Sequence, residues 1–91
     1  MEFAWDEAKS EKNLRDRGFD FAFAALIFDR PTIERVDARK DYGEVRVQAI
    51  GEADGYVLFV TYTDRDGQRR IISARRATAK ERMLWQQSVN P

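Results

Sequence analysis

The sequence predicts an α+β domain: two N-terminal helices, a four-stranded antiparallel meander and a C-terminal helix. Three observations predict it. Apolar residues recur at helical spacing from Phe21 to Phe28. From Thr32 the period changes to two. After that point each connection is short, polar and ends in glycine, as tight hairpins require.

The elements follow in order. Phe3 to Trp5 is compatible with a short first strand. Asp6 is placed to cap a first helix, with Glu7 in its first turn, Arg15 and Arg17 at its end, and Gly18 closing it. Its apolar stripe, Ala8 and Leu14, is thin, which predicts a surface helix. Asp20 caps a second helix, where Phe21, Ala24, Ala25 and Phe28 share one face and Phe23, Leu26 and Ile27 widen it. That helix is core, and Pro31 stops it. Strands are expected at Thr32 to Ala38, Glu44 to Gly51, Tyr56 to Thr63 and Arg69 to Ala74. Turns are expected at 40–43, 52–55 and 64–67, too short for anything but antiparallel neighbours. Thr78 and Glu81 form a capping box for the last helix. Helices gathered on one face of such a sheet leave the other open to a ligand.

Composition narrows the chemistry. The chain has 91 residues, enough for one domain spanning 1–91. Cysteine and histidine are both missing, so a disulfide framework and a thiolate or imidazole metal site are excluded, and no metal or other cofactor is expected. No signal peptide or membrane span is recognised, which makes the cytoplasm the expected compartment. Net charge is zero, from 16 basic and 16 acidic residues. The charges are uneven, however: residues 1–29 carry seven acids and four bases, whereas 30–80 carry eight acids and eleven bases, including the doublets Arg69-Arg70 and Arg75-Arg76. A basic sheet beside an acidic helical segment fits phosphate recognition, and it fits a solvated strand surface as well.

Alternation along the strands places Arg46, Gln48, Ser73 and Arg75 on one polar face, with Tyr62 or Thr61 beside them depending on register. No serine, cysteine or P-loop signature of catalysis is present. Arginines near a tyrosine and carboxylates suit phosphate binding, because arginine forks onto phosphate oxygens and stays charged as negative charge builds.

Four strings, in order, resemble one family. They are Phe3-Ala4-Trp5-Asp6-Glu7-Ala8-Lys9 with Asn13-Leu14; Phe28-Asp29-Arg30-Pro31; Asp37-Ala38-Arg39 leading to Asp41-Tyr42-Gly43-Glu44-Val45-Arg46; and Tyr62-Thr63 followed by Arg70-Ile71-Ile72-Ser73-Ala74-Arg75-Arg76-Ala77. Together they are similar to the BrnT family of bacterial toxins. The resemblance implies a RelE-like fold and a type II toxin that cleaves RNA and stops translation. It also implies neutralisation by a BrnA-like antitoxin in a hetero-oligomer, which meets operator DNA only through the antitoxin. The family commonly carries a basic-histidine-glycine triplet where this chain has Asp16-Arg17-Gly18. Arginine cannot act as a general base near neutral pH, so Arg17 is expected to be structural.

On this reading the candidate catalytic residues are Arg46 and Arg75 as phosphate clamps, Glu44 (or Asp41) as base, and Tyr62 as a substrate-orienting or proton-donating group. Lys40, Tyr42, Arg65 and Arg76 are the candidate RNA-binding residues. Local pairing with Glu44 or Asp41 accounts for Arg46 equally well, and turn chemistry accounts for Asp41 better than catalysis does. The other functional reading is a non-catalytic module that binds an antitoxin or another partner through the same arginines.

Overall fold

A computed structural model describes residues 1–90. It contains five strands, β1 (Glu2–Trp5), β2 (Ile33–Val36), β3 (Val47–Ala53), β4 (Tyr56–Arg65) and β5 (Gln68–Arg76), and three α-helices, α1 (Glu7–Arg17), α2 (Phe21–Ala24) and α3 (Ala79–Val89). The sheet order is β1-β5-β4-β3-β2. The meander is therefore present and antiparallel throughout, but β1 is a full member of the sheet and lies parallel to β5. The four-stranded antiparallel expectation is corrected to a five-stranded mixed sheet.

The capping chemistry forms as read. Asp6 accepts the Lys9 N–H at 3.2 Å, Gly18 adopts φ +84°, and Thr78 and Glu81 complete a reciprocal capping box. What docks α1 is polar rather than apolar: Ser10 accepts the Phe21 N–H at 3.0 Å and Asn13 donates to the Phe19 carbonyl at 2.9 Å. Leu14, half of its thin apolar stripe, is 50% exposed.

The expected second helix is a single α-helical turn that tightens into a 3₁₀ segment, Ala25–Asp29. Three residues per turn align Ala24 with Ile27, and both are fully buried, while Phe28 rests at the rim. This segment lies almost on the sheet. A Cβ at Gly51 would sit 2.9 Å from Ile27 Cβ and 2.8 Å from Thr32 Cγ2, so only glycine fits.

Both short hairpins turn on an Asp-Gly pair with positive φ at each residue, Asp54-Gly55 and Asp66-Gly67. Two-residue turns of this kind match the strand twist. The expected third hairpin at 40–43 is instead a loop of residues 37–46 between β2 and β3. Here the Asp37 carboxylate accepts from the Arg39 N–H and from two side chains, which competes with strand pairing.

Leu58, Val60, Tyr62, Ile71, Ala74, Ala49 and Ala53 pack beneath Phe21, Ala24 and Ile27 to form the core on one side of the sheet. α3 lies on the other side. Its Glu81 and Leu84 border Ile33, Ile50 and Phe59, whose strand positions alternate with the core ones. The open second face is thus half occupied, and only its end nearest the 37–46 loop is free of helix. No helix among the described residues is long and apolar enough to cross a membrane.

Candidate nucleic-acid interface

A bulge decides which arginines share the free end of the sheet. Thr61 pairs with Ser73 but Tyr62 pairs with Ile71, so Ile72 is an extra residue in β5. Strict alternation separates Arg70 from Ser73 and Arg75. The bulge puts all three on one side and turns Arg69 towards the other. Across the sheet, Arg35, Gln48, Thr61 and Ser73 form one row, Arg70 stands beside Thr63, and Arg75 beside Phe59. Gln48, Thr61 and Thr63 are buried, so the floor is polar and the arginines stand around it.

Two of these cations are held. Arg75 forks onto Glu81 at 2.8 and 3.0 Å, with its guanidinium 4.1 Å from the Phe59 ring centroid. The hydrogen bonds from Arg75, helped by the Thr78 N–H and the Arg75 charge, hold the Glu81 carboxyl at about 2, against an ordinary 4.5. Arg46, one residue before β3, donates to Glu44 at 3.2 Å. Arg35 donates to the neutral Gln48 at 2.8 Å, and among the described residues neither Arg35 nor Arg70 forms an ion pair. Arg75 lies level with Ile50, four positions (about 13 Å) along the strand direction from Arg46 and two strands (about 10 Å) to its side. Arg75 turns to Glu81 and Phe59, and Arg46 to Glu44 and Tyr42.

The 37–46 loop supplies the rest. Tyr42 donates its hydroxyl to Asp37 at 3.1 Å, and its ring carries Arg46 at 4.0 Å and Lys40 at 5.5 Å. The structure therefore brings together Lys40, Tyr42, Glu44 and Arg46. Asp41 accepts the Gly43 N–H at 2.9 Å, which is turn chemistry.

Tyr62 is not with them. It faces the core side, where its hydroxyl donates to Glu34 at 2.5 Å, its ring meets Phe28 edge-on, and Arg69 lies 4.0 Å above it. Burial and the Glu34 hydrogen bond raise its pKa, so it holds its proton more tightly than a free tyrosine. The register selects Thr61, not Tyr62, as the neighbour of the arginines. Arg76 is also on the core side, 5.0 Å from the Tyr56 ring at the edge of a cavity of about 310 Å³. Arg65 is exposed at the β4–β5 hairpin, paired in the ladder with Gln68.

Arg17 has a structural place. It donates to the Ala74 carbonyl at 2.8 Å, on the edge of β5 beyond the end of its pairing with β1, and to Asn13 at 3.3 Å. Sequence reasoning missed Arg35, Asp37 and Glu34 as contributors. Arg70 was lost to the wrong side because a bulge leaves no periodic trace.

Residues 5–81, from the end of β1 to the first turn of α3, match the family model described as "Ribonuclease toxin, BrnT, of type II toxin-antitoxin system". No curated protein matches the chain. The match takes in the whole arginine-bearing end of the sheet and the 37–46 loop. The chain belongs to the BrnT family of ribonuclease toxins of type II toxin–antitoxin systems.

Proposed function

We propose that the chain is a metal-independent endoribonuclease that binds single-stranded RNA across the side of the sheet bearing Arg35, Arg46, Arg70 and Arg75. One observation carries this reading. Arginines from β2, β5 and the 37–46 loop stand on one side of the sheet, over a polar floor, with Glu44 and Glu81 as the carboxylates beside them. Such an array neutralises successive phosphates and remains charged throughout the reaction.

In the proposed reaction the 2′-hydroxyl oxygen bonds to the adjacent phosphorus and the bond to the 5′ oxygen breaks. The products are a 2′,3′-cyclic phosphate and a free 5′-hydroxyl, the leaving 5′ oxygen taking its proton from solvent water. Arg46, beside Glu44, holds the scissile phosphate and stabilises the charge that builds on it, while Arg75 holds a neighbouring phosphate. Glu44, beside Arg46, takes the 2′ proton. Tyr62 has no part, since its hydroxyl is engaged with Glu34 on the far side of the sheet. The protein acts in the cytoplasm, and a BrnA-like antitoxin neutralises it in a hetero-oligomer that meets operator DNA through the antitoxin.

The test is induction of the wild-type chain and an Arg46→Ala/Arg75→Ala variant in a bacterial host. Growth arrest with new RNA 5′ ends is expected for the wild type and neither for the folded variant. Normal growth and intact RNA with folded wild-type protein overturn the reading. That result favours a non-catalytic module that binds its partner through the same arginines. The engagement of both neighbouring carboxylates, Glu44 with Arg46 and Glu81 with Arg75, supports this second reading.

A further inference from the structure

Asp37 is a buried carboxylate in a loop that is otherwise exposed or half-buried. It stands outside the apolar core, and its hydrogen bonds are all local. One oxygen accepts the Arg39 N–H at 3.2 Å and Nε at 2.9 Å; the other accepts Arg39 Nη2 at 2.9 Å and the Tyr42 hydroxyl at 3.1 Å. Its own N–H donates to the Arg46 carbonyl at 2.8 Å. One residue thus fastens the Tyr42 side chain and the Arg46 main chain together. The Arg46 guanidinium then rests 4.0 Å from the Tyr42 ring centroid.

We propose that Asp37 is the positioning residue of the RNA-binding loop: it fixes Tyr42 as a platform and thereby aims Arg46 at phosphate. The inference rests on the ribonuclease reading above. It also divides the loop's cations by role. Arg39 is spent on Asp37 through its bidentate fork and holds the loop shut, while Lys40 and Arg46, one on each side in sequence of Tyr42, face the substrate. Tyr42 with its hydroxyl anchored and its ring carrying guanidinium serves as a support, not as a stacking surface for a base. Glu44 holds Arg46 from the rim, where water competes; Asp37 acts from a buried position.

The test compares wild type, Asp37→Asn and Tyr42→Phe as purified full chains, with folding checked by circular dichroism. Two readouts are taken. Nuclear magnetic resonance measures the upfield ring-current shift of the Arg46 side-chain protons, and cleavage of a single-stranded RNA oligonucleotide yields kcat and KM separately. Asp37→Asn is expected to lose most of the shift and to lower kcat/KM about tenfold, the size of one weakened charge-assisted contact, with kcat sharing the loss because Arg46 also faces the charge that builds in the reaction. Tyr42→Phe keeps the ring but cuts the link to Asp37, and moves both readouts the same way by less. A shift that survives in Asp37→Asn overturns the proposal, as does a lost shift with unchanged kcat/KM. If Asp37→Asn does not fold, Tyr42→Phe decides by the same criteria. Wild-type protein that neither binds nor cleaves RNA overturns the ribonuclease reading and this inference with it; a surviving shift in an active enzyme overturns this inference alone.

Discussion

At the scale of single residues, the side chains divide into those that hold the fold and those that face outwards, and ion pairing joins the two groups. Glu81 is the clearest case. It caps α3 through Thr78 and forks onto Arg75 on the arginine side of the sheet. Its folded pKa, about 2, lies below its ordinary 4.5, so its contribution to stability is present in full above pH 4.5 and is lost as pH falls towards 2. Glu81→Gln is expected to melt below wild type at pH 7, with the gap closing on acidification through that window, as followed by thermal denaturation. Tyr62 makes the opposite point. A tyrosine read beside arginines in the sequence invites a catalytic role, yet its hydroxyl is committed to Glu34. Tyr62→Phe is expected to cost about 1 kcal/mol of stability, by denaturant titration, while RNA cleavage continues at the wild-type rate. Sequence alone could not separate these roles, because Tyr62 and Thr61 are adjacent in the chain and only register assigns them to opposite sides.

At the scale of elements, the caps and hairpins were legible because their chemistry is local. Asp6, Asp20 and Thr78 each accept the backbone N–H of the third residue on, and both Asp-Gly pairs turn with positive φ. The departures all have tertiary causes. The second helix winds as 3₁₀ where it lies against Gly51, and the first hairpin opens where Asp37 gathers Arg39 and Tyr42. α1 is anchored by Ser10 and Asn13, polar groups that a search for apolar stripes passes over. Gly51→Ala tests the close approach. It is expected to destabilise by about 1–3 kcal/mol in chemical denaturation, because Ile27 and Thr32 must move to admit a methyl group. A stability equal to wild type would show that the 3₁₀ segment can lift from the sheet without cost.

At the scale of the molecule, one sheet has two unlike sides. Its core side carries α1, α2 and the apolar cluster, and its other side carries α3 at one end and the arginines at the other. The zero net charge of the chain hides this asymmetry, which the split between the acidic first 29 residues and the basic sheet had signalled. The bulge at Ile72 completes the division, placing Arg70 with Arg75 and Arg69 over Tyr62. That division can be measured directly through the salt dependence of RNA binding. For single-stranded RNA, each lost phosphate contact reduces the slope of log K against log salt by about 0.7. The decisive experiment is this titration on wild type, Arg70→Ala and Arg69→Ala, using one single-stranded oligonucleotide and fluorescence anisotropy. The account predicts a shallower slope for Arg70→Ala by about one contact and an unchanged slope for Arg69→Ala, although the latter loses stability. Equal slopes for wild type and Arg70→Ala, or a loss confined to Arg69→Ala, would contradict the claim that the arginine side of the sheet is where RNA binds.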